Sequence, residues 1–345
     1  MSHPYTTQPE KAFWRKSISD RSFLDLAGLY ERKFAIEPDA RIASAGSCFA
    51  QHIGRHLAKS GFNYVDYEPA PGFLQPELRK LFGYELYSAR YGNIYTTRQL
   101  LQLAEEALEG SSPEEFYWLR DERFFDPFRP TIEPDGFATL EEMRSAREVH
   151  LEAVKQLFTN TDVFIFTLGL TETWTSKKDG RVYPVCPGTV AGEFDEEKYR
   201  FHNLRTFEMV RDLRSFFKLV HSVNPSCKFV LTVSPVPLTA TATDKHVLVA
   251  TNYSKSALRA AAGQLADAHA FVDYFPSFEV ISSHPGRGMF FDPNLRTVNN
   301  RGVGFVMEHF FAEHRPARKV AAKKVRKETR TEEEIMCDEE ILDAS

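Results

Sequence analysis

The sequence predicts an α/β fold in three layers, α/β/α, with a doubly wound, mainly parallel sheet and Pro-rich insertions. The first observation is the alternation of strand-like and helix-like segments along the chain, which is typical of that architecture. The second is the run Asp162-Val-Phe-Ile-Phe-Thr-Leu168. A continuous apolar run of this length, bounded by turn residues, suits a central parallel strand that is covered on both faces.

The other elements follow from hydrophobic spacing and turn residues. An apolar repeat near 3.6 residues predicts a helix over 21–33, within an N-terminal arm of residues 1–40. Further strands are predicted over 41–45, 62–67, 228–233 and 270–274. Further helices are predicted from 49 to about 61, over 98–108, 141–158 and 203–223, around 254–265, and in a segment that ends at 311. We therefore expect one α/β domain over 41–314.

Three irregular stretches interrupt this pattern. Residues 68–95 and 124–137 are rich in proline, and 175–205 contain the turn pair Asp179-Gly180 of a hairpin-like excursion. Because long irregular stretches in a compact domain are often functional, residues 124–137 are a candidate lid over the site.

The composition excludes several classes of function. The chain has 345 residues and a formal net charge of −5, which gives no reason to expect a nucleic-acid partner. No apolar run reaches the roughly 18–20 residues of a membrane helix, and the N-terminus lacks a signal-peptide core. The four cysteines form no CxxC pair, and His52 and His56 lack a third ligand. We expect a cytoplasmic protein with free thiols, and no metal, cofactor or membrane partner.

The segment around Ser47 is the strongest candidate for a chemical site. Residues 42–45 predict a short buried strand, Gly46 allows a sharp bend, and a helix begins near Phe49. A side chain held between a strand end and a helix start is exposed beside backbone N–H groups that can receive a negative oxygen. Ser47 is therefore the candidate nucleophile; the alternative is an ordinary helix cap. Cys48 is the second candidate, as a thiol at a helix N-terminus or as an inert buried residue.

The five residues Gly46-Ser-Cys-Phe-Ala50 spell the signature of the GSCFA family, and the chain is identified as a member on that resemblance. Further pieces lie between Pro4 and Phe311: residues 12–14, 91–93, 168–172 and 234–236. The family resembles the SGNH/GDSL hydrolase superfamily, in which this serine is the nucleophile. The resemblance implies a Ser-dependent acyl-ester hydrolase or O-acyltransferase that acts on a small-molecule or carbohydrate acyl substrate.

The same resemblance implies an oxyanion hole. Its donors would be the Ser47 amide, Gly92 and Thr171, the last replacing the asparagine of the superfamily's Gly-x-Asn motif that begins here at Gly169. A hydroxyl can still donate one hydrogen bond. Gly92 and Asn93 are equally consistent with a simple tight turn. The predicted substrate pocket comprises Asn93, Gly169 and Trp174.

The base is the point at which the sequence departs from the superfamily. The expected Asp-x-x-His block aligns with Asn294-Leu-Arg-Thr297, and neither asparagine nor threonine can take the proton of a serine. His284, in the same loop, is the favoured substitute and His246 is the second. Asp292 and Glu172 are the candidate acidic partners. The alternative function is a non-catalytic binding protein for a sugar or acylated ligand that has lost the block.

The C-terminal residues 315–345 form two blocks of opposite charge. Residues 315–327 are strongly basic and residues 328–343 are mostly acidic. This pattern predicts either a flexible, self-screening tail or one that docks Ile335, Ile341 and Leu342 on the domain. A solvated linker is favoured over a nucleic-acid-binding arm.

Overall fold

A four-stranded parallel sheet forms the centre of the computed structural model, which describes residues 3–113, 116–314, 338 and 342. The strands are β1 Ile42–Gly46, β2 Trp118–Arg120, β3 Arg123–Phe125, β4 Val163–Leu168, β5 Glu172–Ser176, β6 Val182–Tyr183, β7 Tyr199–Asn203, β8 Lys228–Val233 and β9 Val272–Phe275. The α-helices are α1 Phe49–Lys59, α2 Pro76–Arg79, α3 Thr97–Glu109, α4 Leu140–Asn160, α5 Thr206–Val223, α6 Val247–Ala268, α7 Ser277–Ser282 and α8 Asn300–Glu313.

The central sheet has the order β1-β4-β8-β9, and all its pairs are parallel. On the outer side of β1, Tyr64 makes a single parallel bridge to Ile42. The chain therefore runs first to one side of β1 and then, from β4 onward, to the other. Ligands in open α/β sheets bind at the carboxyl ends of the strands where the direction of winding reverses, and here that point is the end of β1.

The sheet is covered on both faces, which confirms the predicted three-layer fold. Phe164 and Phe166 of β4 pack with residues of α3, α4, α5 and α6 in one apolar cluster. Val163 and Ile165 point to the opposite face and pack with residues of α1, α7 and α8. Because neighbouring residues of β4 alternate between two buried faces, the continuous apolar run is what such a strand requires. None of the helices in the described part of the chain is long and apolar enough to cross a membrane.

Two predicted elements differ from the structure. The helix expected over 21–33 is replaced by one turn of 3-10 helix, Phe23–Asp25. Gly28 follows with φ +69°, which ends helical geometry, and the Phe23 ring packs against Phe290 instead. The strand expected over 62–67 is reduced to the bridge at Tyr64. The hairpin predicted within 175–205 does form: β5 and β6 pair antiparallel on either side of Asp179-Gly180, and β7 pairs with the other edge of β5 in a separate sheet.

A network of buried charges anchors the Pro-rich loop 124–137. Asp126 accepts hydrogen bonds from Arg129 Nε at 2.7 Å and from Arg147 Nη1 at 3.0 Å, and Arg147 also binds Glu106 through Nε at 2.8 Å. All four side chains are almost completely buried. Since each charge has an opposite partner, the cost of removing it from water is offset. The loop is held on α4, and none of its residues lines the cleft that contains Ser47, so the predicted lid does not cover that cleft.

Loss of one charge from this network is expected to destabilise the fold. Asp126→Asn leaves two buried arginines with reduced compensation, and we expect a loss of about 3 kcal/mol in the free energy of unfolding at pH 7. Urea denaturation measures it. Asp135→Asn, an exposed position on the same loop, is the matched control, and an equal loss in both variants would contradict the proposed role.

The pH dependence of stability provides a second test of the same network. Burial alone would raise the pKa of Asp126, but the positive charges of Arg147 and Arg129 lower this pKa to about 2. A lowered carboxyl pKa stabilises the fold above the ordinary pKa of 3.8, and that contribution is lost as the pH falls through about 2. The difference in stability between the native chain and Asp126→Asn should therefore shrink between pH 5 and pH 2, and a constant difference would contradict the assignment.

Candidate functional site

Gly46 fixes the position of Ser47 at the end of β1. Its φ is +142°, and a Cβ on this residue would lie 2.4 Å from the carbonyl oxygen of Thr167 in β4. Only glycine allows β1 and β4 to approach this closely. The next residue, Ser47, therefore lies between the end of β1 and the start of α1 at Phe49, as the sequence predicts.

The prediction of an exposed Ser47 side chain is wrong: only 3% of its surface is exposed, because Gly169 directly after β4 packs against it. Its Oγ finds no hydrogen-bond partner among the described residues, so no histidine nitrogen of that part of the chain is within bonding distance. The Ser47 N–H donates to the Thr167 carbonyl oxygen at 3.2 Å. In this arrangement the amide is already engaged, and its predicted oxyanion role would require that bond to be exchanged.

A narrow cleft at the carboxyl edge of the sheet contains Ser47. Its lining comes from the segments that follow β1, β4 and β8, from the residues before α3 and from α6. These residues are Ser47, Cys48, Tyr95, Gly169, Leu170, Ser234, Val236, Pro237, Leu238 and Lys255. Gly169 is held against the serine, because a Cβ on it would lie 2.9 Å from the Ser47 Cβ. The predicted pocket residue Gly169 and the alternative nucleophile Cys48 thus share the cleft with Ser47.

Lys255 is the cleft residue that the sequence analysis missed. It is 3% exposed, and its Nζ donates a hydrogen bond to the Gly169 carbonyl oxygen at 2.6 Å. The helical spacing of α6 could have indicated it, because Lys255 lies three residues before Leu258 and seven before Ala262, on the buried face of the helix. A lysine on such a face requires a polar partner, and here the partner is the backbone next to Ser47.

The predicted oxyanion donors lie near the cleft without lining it. Gly92 has φ +66° and precedes Asn93, and the Ile94 N–H donates to the Gly46 carbonyl oxygen at 2.9 Å. Thr171 is fully buried; its N–H donates to Ser254 Oγ, and its Oγ1 has no hydrogen-bond partner in the described part of the chain. The oxyanion roles of Gly92 and Thr171 stay predictions.

The two candidate histidines lie outside the cleft. His284 is exposed, and its ring stacks on Trp14 with centroids 5.4 Å apart. His246 is also exposed, and its Nδ1 accepts the Leu248 N–H at the start of α6. No histidine is among the described residues that line the cleft. A role for either ring would require it to move from these contacts.

The acidic candidates and the degraded block are also separate from Ser47. Glu172 accepts hydrogen bonds from Thr241 Oγ1 at 2.6 Å and from the Ala242 N–H at 3.1 Å. Asn294 Nδ2 donates to Thr297 Oγ1 at 2.9 Å, so the residues that replace Asp and His close a turn on each other. Asp292 borders that turn, where its N–H donates to the Thr297 carbonyl oxygen.

A second cavity of about 300 Å³ adjoins the cleft and shares Leu170 and Leu238 with it. Its wall is mostly apolar, and the predicted pocket residue Trp174 is part of it. Two residues from the far C-terminus, Asp338 and Leu342, also line this cavity. The residues between them and the rest of the tail lie outside the described residues. The apolar wall is suited to an apolar group of a ligand whose polar end enters the cleft.

Stability measurements can test the close contact at Gly46. Gly46→Ala forces a Cβ against Thr167 at a strained φ, and we expect a loss of about 2–4 kcal/mol in the free energy of unfolding. Gly304→Ala is the matched control, because it lies in α8 with open space around its Cβ position. That substitution should stabilise the fold by about 0.5–1 kcal/mol. Equal effects would contradict the steric role of Gly46.

A family model agrees with the sequence signature. A solved structure of an acetyl esterase mutant with an acetate ion resembles the chain with a TM-score of 0.29 and 13% identity, over 79% of this chain and 95% of that one. No curated protein matches the chain significantly. The model of the GSCFA family matches residues 41–310, which include the cleft and the whole central sheet. The chain therefore belongs to the GSCFA family.

Proposed function

We propose that the chain hydrolyses or transfers an acyl group at Ser47, with Lys255 as the residue that takes up the serine proton. The observation that carries the proposal is the presence of a hydroxyl and a buried amine in the same narrow cleft, at the point of the sheet where ligands bind. Serine nucleophiles paired with lysine are a recognised variant of the serine–histidine arrangement.

The surroundings of Ser47 support a chemical role. A buried hydroxyl without a hydrogen-bond partner costs about 1–3 kcal/mol of stability. Groups that are kept at such a cost are concentrated at functional sites. The N-terminus of α1 begins two residues later, and its dipole favours negative charge on an oxygen in the cleft.

In the proposed mechanism the neutral Lys255 amine accepts the Ser47 proton while Oγ attacks the carbonyl carbon of the ester. The tetrahedral oxyanion collapses and the lysine ammonium returns the proton to the departing alkoxide. Water or an acceptor hydroxyl then attacks the acyl-serine, again with Lys255 as the base. In the resting structure Lys255 Nζ bonds the Gly169 carbonyl oxygen and makes no hydrogen bond to Ser47 Oγ, so the amine turns from that carbonyl to Oγ when it takes the proton. The apolar cavity beyond Leu170 and Leu238 accommodates the acyl chain or the alcohol.

A second candidate function is ligand binding without catalysis. It is favoured by one observation, the absence of a histidine among the described residues of the cleft together with the loss of the Asp-x-x-His block at Asn294 and Thr297. The apolar cavity with its polar rim would then bind a sugar or an acylated molecule.

Hydrolysis of short-chain p-nitrophenyl esters tests the catalytic proposal. Ser47→Ala should abolish activity, and Lys255→Met should lower kcat by about 10²–10⁴, the range for a general base. Lys245→Met, an exposed lysine ten residues upstream, should leave kcat unchanged. A base must be unprotonated to act, so the native rate should rise with pH and the residual rate of Lys255→Met should not.

Covalent labelling separates the remaining alternatives. A fluorophosphonate should modify Ser47, as identified by peptide mass spectrometry, in the native chain and in Cys48→Ser. Modification that survives Ser47→Ala would exclude this nucleophile. If kcat falls in His284→Asn or His246→Asn but not in Lys255→Met, the base is that histidine and not Lys255. A chain that resists labelling, hydrolyses no ester and still binds acylated sugars would support the second function.

A further inference from the structure

Ser234 is a second buried serine in the cleft of Ser47. It follows β8 directly, 1% of its surface is exposed, and it lines the cleft together with Ser47 and Lys255. Its N–H donates to the Leu168 carbonyl oxygen at 2.8 Å, while the Ser47 N–H donates to the preceding carbonyl oxygen of β4, that of Thr167. The two serines are therefore fixed on consecutive carbonyl oxygens of one strand, from its opposite sides.

The space between the two serines suits a reacting carbonyl group. Neighbouring strands lie about 4.7–4.9 Å apart, so the backbones of β1 and β8, on either side of β4, are about 9–10 Å apart. Two serine side chains on these backbones end short of hydrogen-bond contact, and Ser47 Oγ makes no bond to Ser234. Gly169, which follows β4 between them, has no side chain. A carbonyl carbon bonded to Ser47 Oγ can therefore direct its oxygen toward Ser234.

The Ser234 hydroxyl keeps its proton available for a ligand. Its Oγ accepts the Val236 N–H at 3.3 Å, and its O–H donates to no acceptor in the described part of the chain. A serine hydroxyl has one donor and two acceptor lone pairs. The bond from Val236, which also lines the cleft, thus orients the oxygen and leaves the proton free to be donated into the cleft.

Other donors near the cleft are already used or lie outside it. The N–H groups of Gly169 and Leu170 both donate to the Tyr95 carbonyl oxygen, at 3.0 Å and 3.2 Å. Thr171, the side-chain donor predicted from the sequence, does not line the cleft. An oxyanion that develops in the cleft requires a donor that is not committed elsewhere, and the Ser234 hydroxyl meets this condition.

We propose that Ser234 is a catalytic residue that donates its O–H to the oxyanion of the acyl-transfer reaction. The inference rests on the proposed function of Ser47. When Ser47 Oγ bonds to the ester carbon, the π electron pair of the carbonyl moves onto its oxygen and Lys255 takes the serine proton. Ser234 keeps its own proton and stabilises the negative oxygen by a hydrogen bond, until the C=O bond forms again and the alkoxide leaves.

Steady-state hydrolysis of p-nitrophenyl acetate tests this role. Ser234→Ala should lower kcat by about 10²–10³, the range for one oxyanion donor, and change KM by less than about two-fold, because the bond forms with the negative oxygen of the transition state. Ser234→Thr keeps a hydroxyl and should recover at least about ten-fold of the lost kcat. The pH dependence of kcat should stay that of the native chain in both variants, because Lys255 is retained.

Ser282→Ala is the matched control for these variants. The Ser282 hydroxyl donates to the Pro235 carbonyl oxygen at 3.5 Å, next to Ser234, but Ser282 does not line the cleft. This substitution should leave kcat and KM unchanged. An unchanged kcat in Ser234→Ala, or an equal fall in Ser282→Ala, would overturn the proposal, since Ser234 would then only support the segment after β8.

A boronic acid gives a readout that does not depend on turnover. It forms a tetrahedral anion on a serine nucleophile, so its affinity reports the contact with the oxyanion. Ser234→Ala should bind phenylboronic acid at least about ten-fold more weakly than the native chain, and Ser282→Ala should bind it equally well.

The outcomes separate this inference from the proposed function. If the native chain hydrolyses esters and Ser234→Ala matches it in both kcat and boronic acid affinity, the role of Ser234 is wrong and that of Ser47 stands. A native chain that neither hydrolyses esters nor binds the boronic acid would overturn the function of Ser47 and this inference with it.

Discussion

The close contact between Gly46 and Thr167 is the constraint on which the site depends. It brings the end of β1 against β4, where a Cβ at position 46 would lie 2.4 Å from a carbonyl oxygen. Ser47 follows this contact directly, and its N–H is fixed on the same oxygen. Because β4 also pairs with β8, any separation of the first two strands would displace the edge that carries the rest of the cleft. The position of the hydroxyl is thus set by backbone packing and not by hydrogen bonds of its own.

The buried polar groups under the loop 124–137 have partners, whereas the buried hydroxyl of Ser47 does not have one among the described residues. Below the loop 124–137, Asp126, Arg129 and Arg147 are buried, but each has an opposite charge in contact. Such a network costs little once it is complete and fixes the loop that it holds. In the cleft, the hydroxyl of Ser47 has no protein partner among the described residues. Thr167 Oγ1 and Thr171 Oγ1, at and just after the end of the neighbouring strand β4, also lack a partner among the described residues.

The features that the sequence could predict are those that depend on neighbours along the chain. The apolar run of β4 and the bend at Gly46 are local signals, and both elements form as predicted. The helix expected over 21–33 failed because Gly28 and the packing of Phe23 on distant rings outweigh a weak periodicity. Lys255 was missed because its place in the cleft depends on a hydrogen bond to a carbonyl oxygen 86 residues away, and no local pattern contains that contact.

The proposed mechanism takes its proton acceptor from a different element than the Asp-x-x-His block that the sequence resemblance implies. The resemblance to the SGNH/GDSL superfamily, which rests on the sequence, led us to expect the base in the loop before the last helix. That loop here ends in the Asn294–Thr297 turn, which satisfies its own polar groups. Lys255 instead enters the cleft from α6, the helix that joins β8 to β9, and it is fixed on the strand end next to the serine. A helix holds a side chain more rigidly than a loop, so in the proposed mechanism the chain lacks the loop residues and still has a proton acceptor in the cleft.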